Sequence, residues 1–204
     1  MPPVLRERKP WPMKWVVLAI VLAIVPYTIL TLRYRKPGKM FEPYHDMKER
    51  ANTMRLLSVG FQRITLEASR LVDPTPGMPA APVFPARGGL PPELDLNLID
   101  RPLLPAEIQS VHAASSINAV MSYPVELRCS QPDGHQQLGS ADLYVHGHEL
   151  VIVPSFERLS GELLARTSDN LIRLTVPAGA LKAGLYHVTL VGSRLSQAWT
   201  LDVK

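Results

Sequence analysis

Residues 171–204 read LIRLTVPAGALKAGLYHVTLVGSRLSQAWTLDVK, and this stretch decides the fold. Its short apolar runs, Leu171–Val176, Leu185–Val191 and Ala198–Val203, are separated by glycine, proline and serine, a pattern typical of strands joined by turns. The pattern extends back toward the N terminus and predicts five further strands, at Ile117–Met121, Val125–Cys129, Asp142–His146, Glu149–Val153 and Glu162–Arg166. Eight short strands in fewer than about ninety residues predict a mainly β domain over residues 106–204, either a sandwich or a barrel.

The hexapeptide Leu181-Lys-Ala-Gly184-Leu-Tyr186 stands immediately before the strand His187–Val191. It resembles the tyrosine corner of immunoglobulin-like Greek-key sandwiches, in which a Tyr at the start of the penultimate strand returns its hydroxyl to upstream backbone. The resemblance covers about thirty residues and implies an Ig-like sandwich of the bacterial extracytoplasmic kind, with structural roles for Leu181, Gly184 and Tyr186. No Cys–Trp–Cys arrangement accompanies it, so an antibody-type core is not implied.

Residues 15–32, WVVLAIVLAIVPYTILTL, carry no charge and include only Thr28 and Thr31 as clearly polar side chains. Because roughly 20 apolar residues in a helix cross the hydrocarbon of a bilayer, the run predicts a transmembrane helix. A cleaved signal peptide is the alternative, but the run is longer than a typical signal core and ends in a basic cluster. We expect six residues at the membrane interface: Trp11, Trp15, Arg33, Tyr34, Arg35 and Lys36.

The formal charge of +4 is concentrated around this helix, since ten of the 22 Lys and Arg residues lie between Arg6 and Arg50. This placement favours contact with anionic lipid heads and gives no support to nucleic-acid binding. Basic residues flank both ends of the helix equally, so they do not fix its orientation. A short tail before a large folded part most often stays inside, which predicts a cytoplasmic tail at residues 1–14 and an extracytoplasmic C-terminal domain on a bacterial inner membrane.

Two segments connect the predicted helix to the β domain. Residues 33–72 form a juxtamembrane segment, with a helix from Asp46 to about Leu57 and a strand at Phe61–Ala68 that either joins the sheet or stays outside it. The helix has an apolar stripe, formed by Met47, Ala51, Met54 and Leu57 or Ser58, that can rest on lipid, pack on its own domain or dock on a neighbouring membrane subunit. Residues 73–105 contain nine prolines and predict a linker without regular elements, either a semi-rigid spacer or a long loop held over a surface. A helical turn is expected from Pro105 to about Val111.

Chemical sites are sparse in the sequence. Cys129 cannot form an internal disulfide because it is the only cysteine, and we interpret it as a small buried hydrophobe. His146 and His148 can share a face and chelate Cu or Zn if both lie in one strand, but Gly147 favours a tight hairpin turn that breaks this geometry. No nucleophile elbow, phosphate loop or zinc-protease motif is present. The sequence therefore predicts no enzyme and no cofactor.

The combination of a single-pass anchor, a basic and aromatic collar and a small β domain resembles, in architecture, the FixH-type accessory proteins of respiratory oxidases. That resemblance implies an accessory or assembly subunit whose partners are the lipid bilayer and integral membrane protein subunits. Two alternatives remain at this point. A transmembrane regulator similar to anti-sigma factors requires a cytoplasmic module, which residues 1–14 are too short to supply. A copper-delivery protein for an oxidase requires that His146 and His148 bind copper.

Overall fold

The structure is a computed structural model that describes residues 12–34, 43–131, 135–159 and 169–204. The chain divides into two compact units, Met1–Pro43 and Tyr44–Lys204, and the second unit includes the proline-rich residues together with the strands that follow them. Within the described residues the elements are, in chain order, α1 (Met13–Tyr34), α2 (Pro43–Ser58), β1 (Gln62–Leu71), β2 (Phe84–Arg87), α3 (Pro92–Asn97), β3 (Glu107–Ala113), β4 (Ser116–Ile117), β5 (Tyr123–Ser130), β6 (Gln136–His146), β7 (Glu149–Arg158), β8 (Asp169–Val176), β9 (Gly184–Leu190) and β10 (Leu195–Val203).

The first unit contains α1, which confirms the predicted helix and extends it by two residues at each end. The stretch Met13–Thr31 has a mean hydropathy of 2.2 and is 0% buried. It is long and apolar enough to span a membrane, a property that a signal sequence can share. Pro26 lies inside the helix, where its missing N–H leaves one backbone carbonyl without its usual partner.

The second unit is mainly β, as predicted, and its strands form a closed eight-stranded barrel in the order β10-β3-β5-β8-β1-β6-β7-β9, with β9 returning to β10. Neighbouring strands in the ring are antiparallel except at β7–β9 and β10–β3. The short strands β2 and β4 add to β10 outside the ring.

The expected two-sheet Ig-like sandwich is not clearly what forms, because two seams join the strands into one sheet. At the first seam β1 changes partner midway: Gln62–Leu66 pair with β6, whereas Glu67–Leu71 pair with β8. The predicted strand at Phe61–Ala68 therefore does join the sheet. At the second seam β10 meets β3 through the single pair Leu195 and Glu107.

The main core fills the barrel. Alternate residues of each strand point inward, so that Leu127, Leu143, Ile172 and Leu201 are 0% exposed. Trp199 brings a polar group into this core, and its Nε1 donates to the Tyr123 hydroxyl at 2.9 Å. That hydroxyl in turn donates to the Ala114 carbonyl at 2.8 Å, which satisfies both buried aromatic groups.

A second core lies on the outer face of the barrel, under α2 and α3. Its members are Leu56, Phe61, Leu94, Leu98, Tyr144, Val151, Val153 and Val191. It explains why β7 is apolar on both faces: Leu150 and Ile152 point into the barrel, while Val151 and Val153 point toward the helices. A run of consecutive buried residues is what a strand covered on both sides requires.

The structure corrects the prediction for the proline-rich segment, which contains β2 and α3. Pro85 is tolerated because β2 is an edge strand that pairs only with β10. Pro92 occupies the first turn of α3, where its missing N–H has no intrahelical partner to lose. Residues 73–105 are thus partly regular and are packed into the second unit.

Two further predictions were wrong at the level of single elements. The helical turn expected from Pro105 is instead β3, and Ile108 and Val111 point the same way because a bulge between Ile108 and Ser110 adds a residue. The strand expected at Ile117–Met121 ends at Ile117, since the Asn118 side chain accepts the N–H of Val120 at 3.1 Å and starts a turn. The strand expected at Glu162–Arg166 lies outside the described residues.

Candidate functional site

The two histidines considered for metal binding contact different partners. His146 ends β6, stacks on Phe61 with ring centroids 4.6 Å apart, and places Nδ1 3.9 Å from a carboxylate oxygen of Glu93. Gly147 has a φ of 58° and His148 follows it in the tight turn between β6 and β7, as predicted. The Nδ1 of His148 lies 3.0 Å from the Leu185 carbonyl oxygen.

In the described part of the chain, no group of three or more His, Cys, Asp or Glu side chains is placed to hold a metal ion. Cys129 is 0% exposed inside the barrel, and burial raises the pKa of its thiol to about 12. It therefore remains a protonated, inaccessible thiol at neutral pH while the domain is folded.

The residues of the predicted tyrosine corner lie together at the start of β9. The Tyr186 hydroxyl donates to the Lys182 carbonyl at 2.9 Å, and Tyr186 itself is 6% exposed. Leu181 packs into the main core. Gly184 has a backbone φ of 156°, which residues with a side chain rarely adopt. The hydrogen bond is of the kind that a tyrosine corner makes to upstream backbone.

The residues expected at the membrane interface are described only in part. Trp15 is 69% exposed near the start of α1, and Arg33 is exposed near its end. Trp11, Arg35 and Lys36 lie outside the described residues, as does the side chain of Tyr34.

Three large apolar side chains are exposed at one end of the barrel, and we call them the end patch: Val120, Met121 and Leu185, which are 76%, 63% and 56% exposed. Backbone bonds join their segments, because Ala119 N–H donates to the Lys204 carbonyl at 2.9 Å and Leu185 pairs with Asp202 of β10. The C terminus and the turn at His148 lie at this same end. Exposed apolar groups gathered in one place are typical of contact surfaces.

A polar cleft of about 280 Å³ lies between α2, the segment after α3 and the outer face of β1, β6 and β7. Arg63 Nη2 is 2.8 Å from Asp142 Oδ2, and Thr65 donates to the other oxygen of that carboxylate at 3.3 Å. The hydrogen bond to Asp142 raises the pKa of Arg63. Burial raises the pKa of Tyr144, which also lines the cleft, to about 12.

Positive and negative charges are equal in number in the cleft. Its lining includes three basic residues, Lys48, Arg63 and Arg101, and three acidic residues, Glu49, Asp100 and Asp142. Lys48 Nζ lies 3.5 Å from Asp100, so α2 is joined by an ion pair to the segment that follows α3. We interpret the cleft as a polar junction that fixes α2 against the barrel. The junction could not be predicted from the sequence, because its members come from α2, β1, β6, β7 and the segment after α3, which are far apart in the chain.

An ion pair with a buried carboxylate holds the proline-rich segment on strands β5 and β8 of the barrel. Glu126 of β5 points outward but is only 1% exposed, and its carboxylate accepts bonds from Arg173 Nη2 at 2.7 Å and Arg173 Nε at 3.1 Å. The hydroxyl and backbone N–H of Thr75 donate to the same carboxylate. Burial opposes ionisation of Glu126, but the hydrogen bonds outweigh it and hold the pKa of Glu126 below its usual range.

Comparisons with known proteins add no family to this description: no protein-family model, no curated protein and no solved structure matches the chain.

Proposed function

We propose that this protein is a non-catalytic accessory or assembly subunit of a bacterial membrane complex, held in the inner membrane by α1 with its β unit on the extracytoplasmic side. A respiratory oxidase is one such complex. The observation that carries the proposal is α1 itself, a helix that is long and apolar enough to span a membrane and whose apolar side chains are exposed.

The polar groups of α1 are arranged as a bilayer requires. A helix of 22 residues at 1.5 Å per residue is about 33 Å long, which matches the hydrocarbon thickness. Its two threonines do not need water, because Thr28 donates to the Ile24 carbonyl and Thr31 to the Tyr27 carbonyl, each at 2.8 Å. A helix this apolar and this exposed is more stable in lipid than in water.

The β unit supports a role in protein contact through the end patch. Burying a large apolar side chain stabilises a complex by about 1.5–3 kcal/mol, and the end patch offers three that the isolated chain leaves in water. An anchor confines the β unit to the plane of the membrane, so integral membrane subunits are the partners it meets most often. We assign the end patch to such a partner.

The proposal is tested by gentle detergent purification from the native membrane. The affinity tag belongs on the N terminus, because Lys204 is hydrogen-bonded beside the end patch. We expect wild-type protein to recover a stoichiometric set of integral membrane subunits and Met121→Glu to lose them. Val72→Glu is the matched control, since Val72 is a 96% exposed apolar residue outside the end patch.

Recovery of wild-type protein alone, from membranes in which it resists carbonate extraction, would overturn the accessory role while keeping the anchor. The orientation has its own test, a C-terminal alkaline phosphatase fusion, which is active only if the β unit lies outside the cytoplasm. An inactive fusion with an active cytoplasmic reporter at the same position would reverse the topology and favour a regulator.

A further inference from the structure

Helix α2 has two faces, and its apolar stripe is on the outer one. Leu56 is 1% exposed and packs in the second core. Met47, Met54 and Leu57 are 70%, 72% and 56% exposed, so the stripe noticed in the sequence does not pack on the barrel. With 3.6 residues per turn, these three side chains fall on one arc of the helix, opposite Leu56.

Polar contacts fix this orientation. Arg55 Nη2 donates to the Leu96 carbonyl at 3.0 Å, the Ile99 N–H donates to Asn52 Oδ1 at 3.3 Å, and Lys48 pairs with Asp100. These contacts lie on the side of α2 that faces α3 and the cleft. The outer arc is therefore held in place by the fold before any partner arrives.

Charge on α2 identifies the partner. Arg50 lies on the same outer arc as Met54, and Glu49 lies between this arc and the cleft, because it borders both Arg50 and Arg63. From Arg33 to Arg55 the sequence contains seven Lys or Arg and three Asp or Glu, so the region carries excess positive charge. An apolar arc with basic residues is the combination that binds the headgroup layer of an anionic bilayer.

We propose that the outer arc of α2 (Met47, Arg50, Met54 and Leu57) lies in the headgroup layer of a bilayer that contains anionic phospholipid. This inference rests on the proposed anchor, because only eight residues separate α1 from α2 in the sequence. A short tether gives the second contact an effective concentration in the millimolar range, so a helix with weak lipid affinity of its own is still mostly bound.

The test uses full-length protein in nanodiscs. Cys129 is buried, so a cysteine introduced at the surface is the only reactive thiol. Met47→Cys and Met54→Cys are labelled with a fluorophore, and Thr200→Cys, on the exposed face of β10, is the matched control. We expect lipid-borne quenchers to quench the labels at positions 47 and 54 several-fold more than the label at 200 when the nanodiscs contain phosphatidylglycerol.

Charge dependence separates headgroup binding from accidental proximity. Quenching at position 54 should fall when phosphatidylglycerol is replaced by phosphatidylcholine or when Arg50→Glu is added, but not with Arg70→Glu, which makes the same change in charge on β1. The inference would be overturned if the labels at 47 and 54 were quenched no more than the label at 200. It would also be overturned if these two labels were shielded only when a partner protein was present. Failure of the protein to enter nanodiscs at all would instead refute the anchor.

Discussion

Replacing Glu126 with glutamine removes the charge from a carboxylate that the fold has almost completely withdrawn from water. The side chain keeps its shape, but the two Arg173 contacts at 2.7 and 3.1 Å lose their charge–charge attraction, because the guanidinium stays charged while its acceptor becomes a neutral amide. The N–H₂ group of that amide is also forced toward the donors of Thr75 or Arg173. Hydrogen bonds to charged groups contribute about 1.5–3 kcal/mol each. Arg173 is 33% exposed, so water screens part of this energy, and we expect a net loss of about 2 kcal/mol.

The assay follows from the position of Cys129. A fluorogenic maleimide reacts with this single thiol only when the barrel opens, so a thermal ramp on full-length protein in detergent reports unfolding of the β unit. For a domain of this size 1 kcal/mol corresponds to roughly 2–4 °C, and Glu126→Gln should lower the Tm by about 4–8 °C. Arg194→Met is the control, because the Arg194–Glu107 pair is 3.6 Å apart and largely exposed, and its loss should cost less than about 0.5 kcal/mol.

The pH dependence gives a second, independent reading. The folded-state pKa of Glu126 is lower than its unfolded value, so the ion pair contributes its full stability above the unfolded pKa of about 4.3 and loses it as the pH falls through the folded-state value. The Tm difference between wild type and Glu126→Gln should therefore be constant near neutral pH and shrink below about pH 4. A difference that is absent at pH 7, or that stays unchanged in acid, would refute the reasoning.

Two further predictions concern the fold. Tyr186→Phe should lower the free energy of unfolding by about 1–2 kcal/mol in the same thiol assay, because the Lys182 carbonyl loses its donor, while the protein stays in the membrane fraction; an unchanged Tm would show that water replaces the hydroxyl. Gly88→Ala would place a Cβ 2.2 Å from the Arg194 carbonyl oxygen, so β2 should separate from β10. The backbone amides of β2 should then exchange hydrogen faster. Unchanged protection of residues 84–87 would show that the two backbones adjust freely.

The sequence predicted most of the strands because each has inward apolar residues bounded by turn residues. The predictions failed where the local spacing of apolar residues or prolines suggested a different element. Ile108 and Val111 are three apart, a helical spacing, but a bulge puts both on the inner face of a strand. The prolines at 85 and 92 suggested an irregular linker, yet one lies on an edge strand and the other in a first helical turn, the two places where proline costs least.

Barrel closure and the ion pair at Glu126 were beyond sequence reasoning for a different reason. Both depend on which distant segments meet: the partner change within β1, the single pair that joins β3 to β10, and the arrival of Thr75 over β5. Periodicity tells which face of a strand is apolar, but not which strands are neighbours. Glu126 occupies an outward position by pattern, and only the segment that covers it makes it buried.

One available signal pointed to the second core. The residues Leu150–Val153 are continuously apolar, which predicts a strand covered on both faces and hence an element packed outside the sheet. That element includes α2, and it buries Leu56 while leaving Met47, Met54 and Leu57 in water. The polar contacts of Arg55, Asn52 and Lys48 hold this arrangement. Burying such a side chain contributes about 1.5–3 kcal/mol of stabilisation. Since the fold does not bury these three residues, this stabilisation is available only when another molecule covers them.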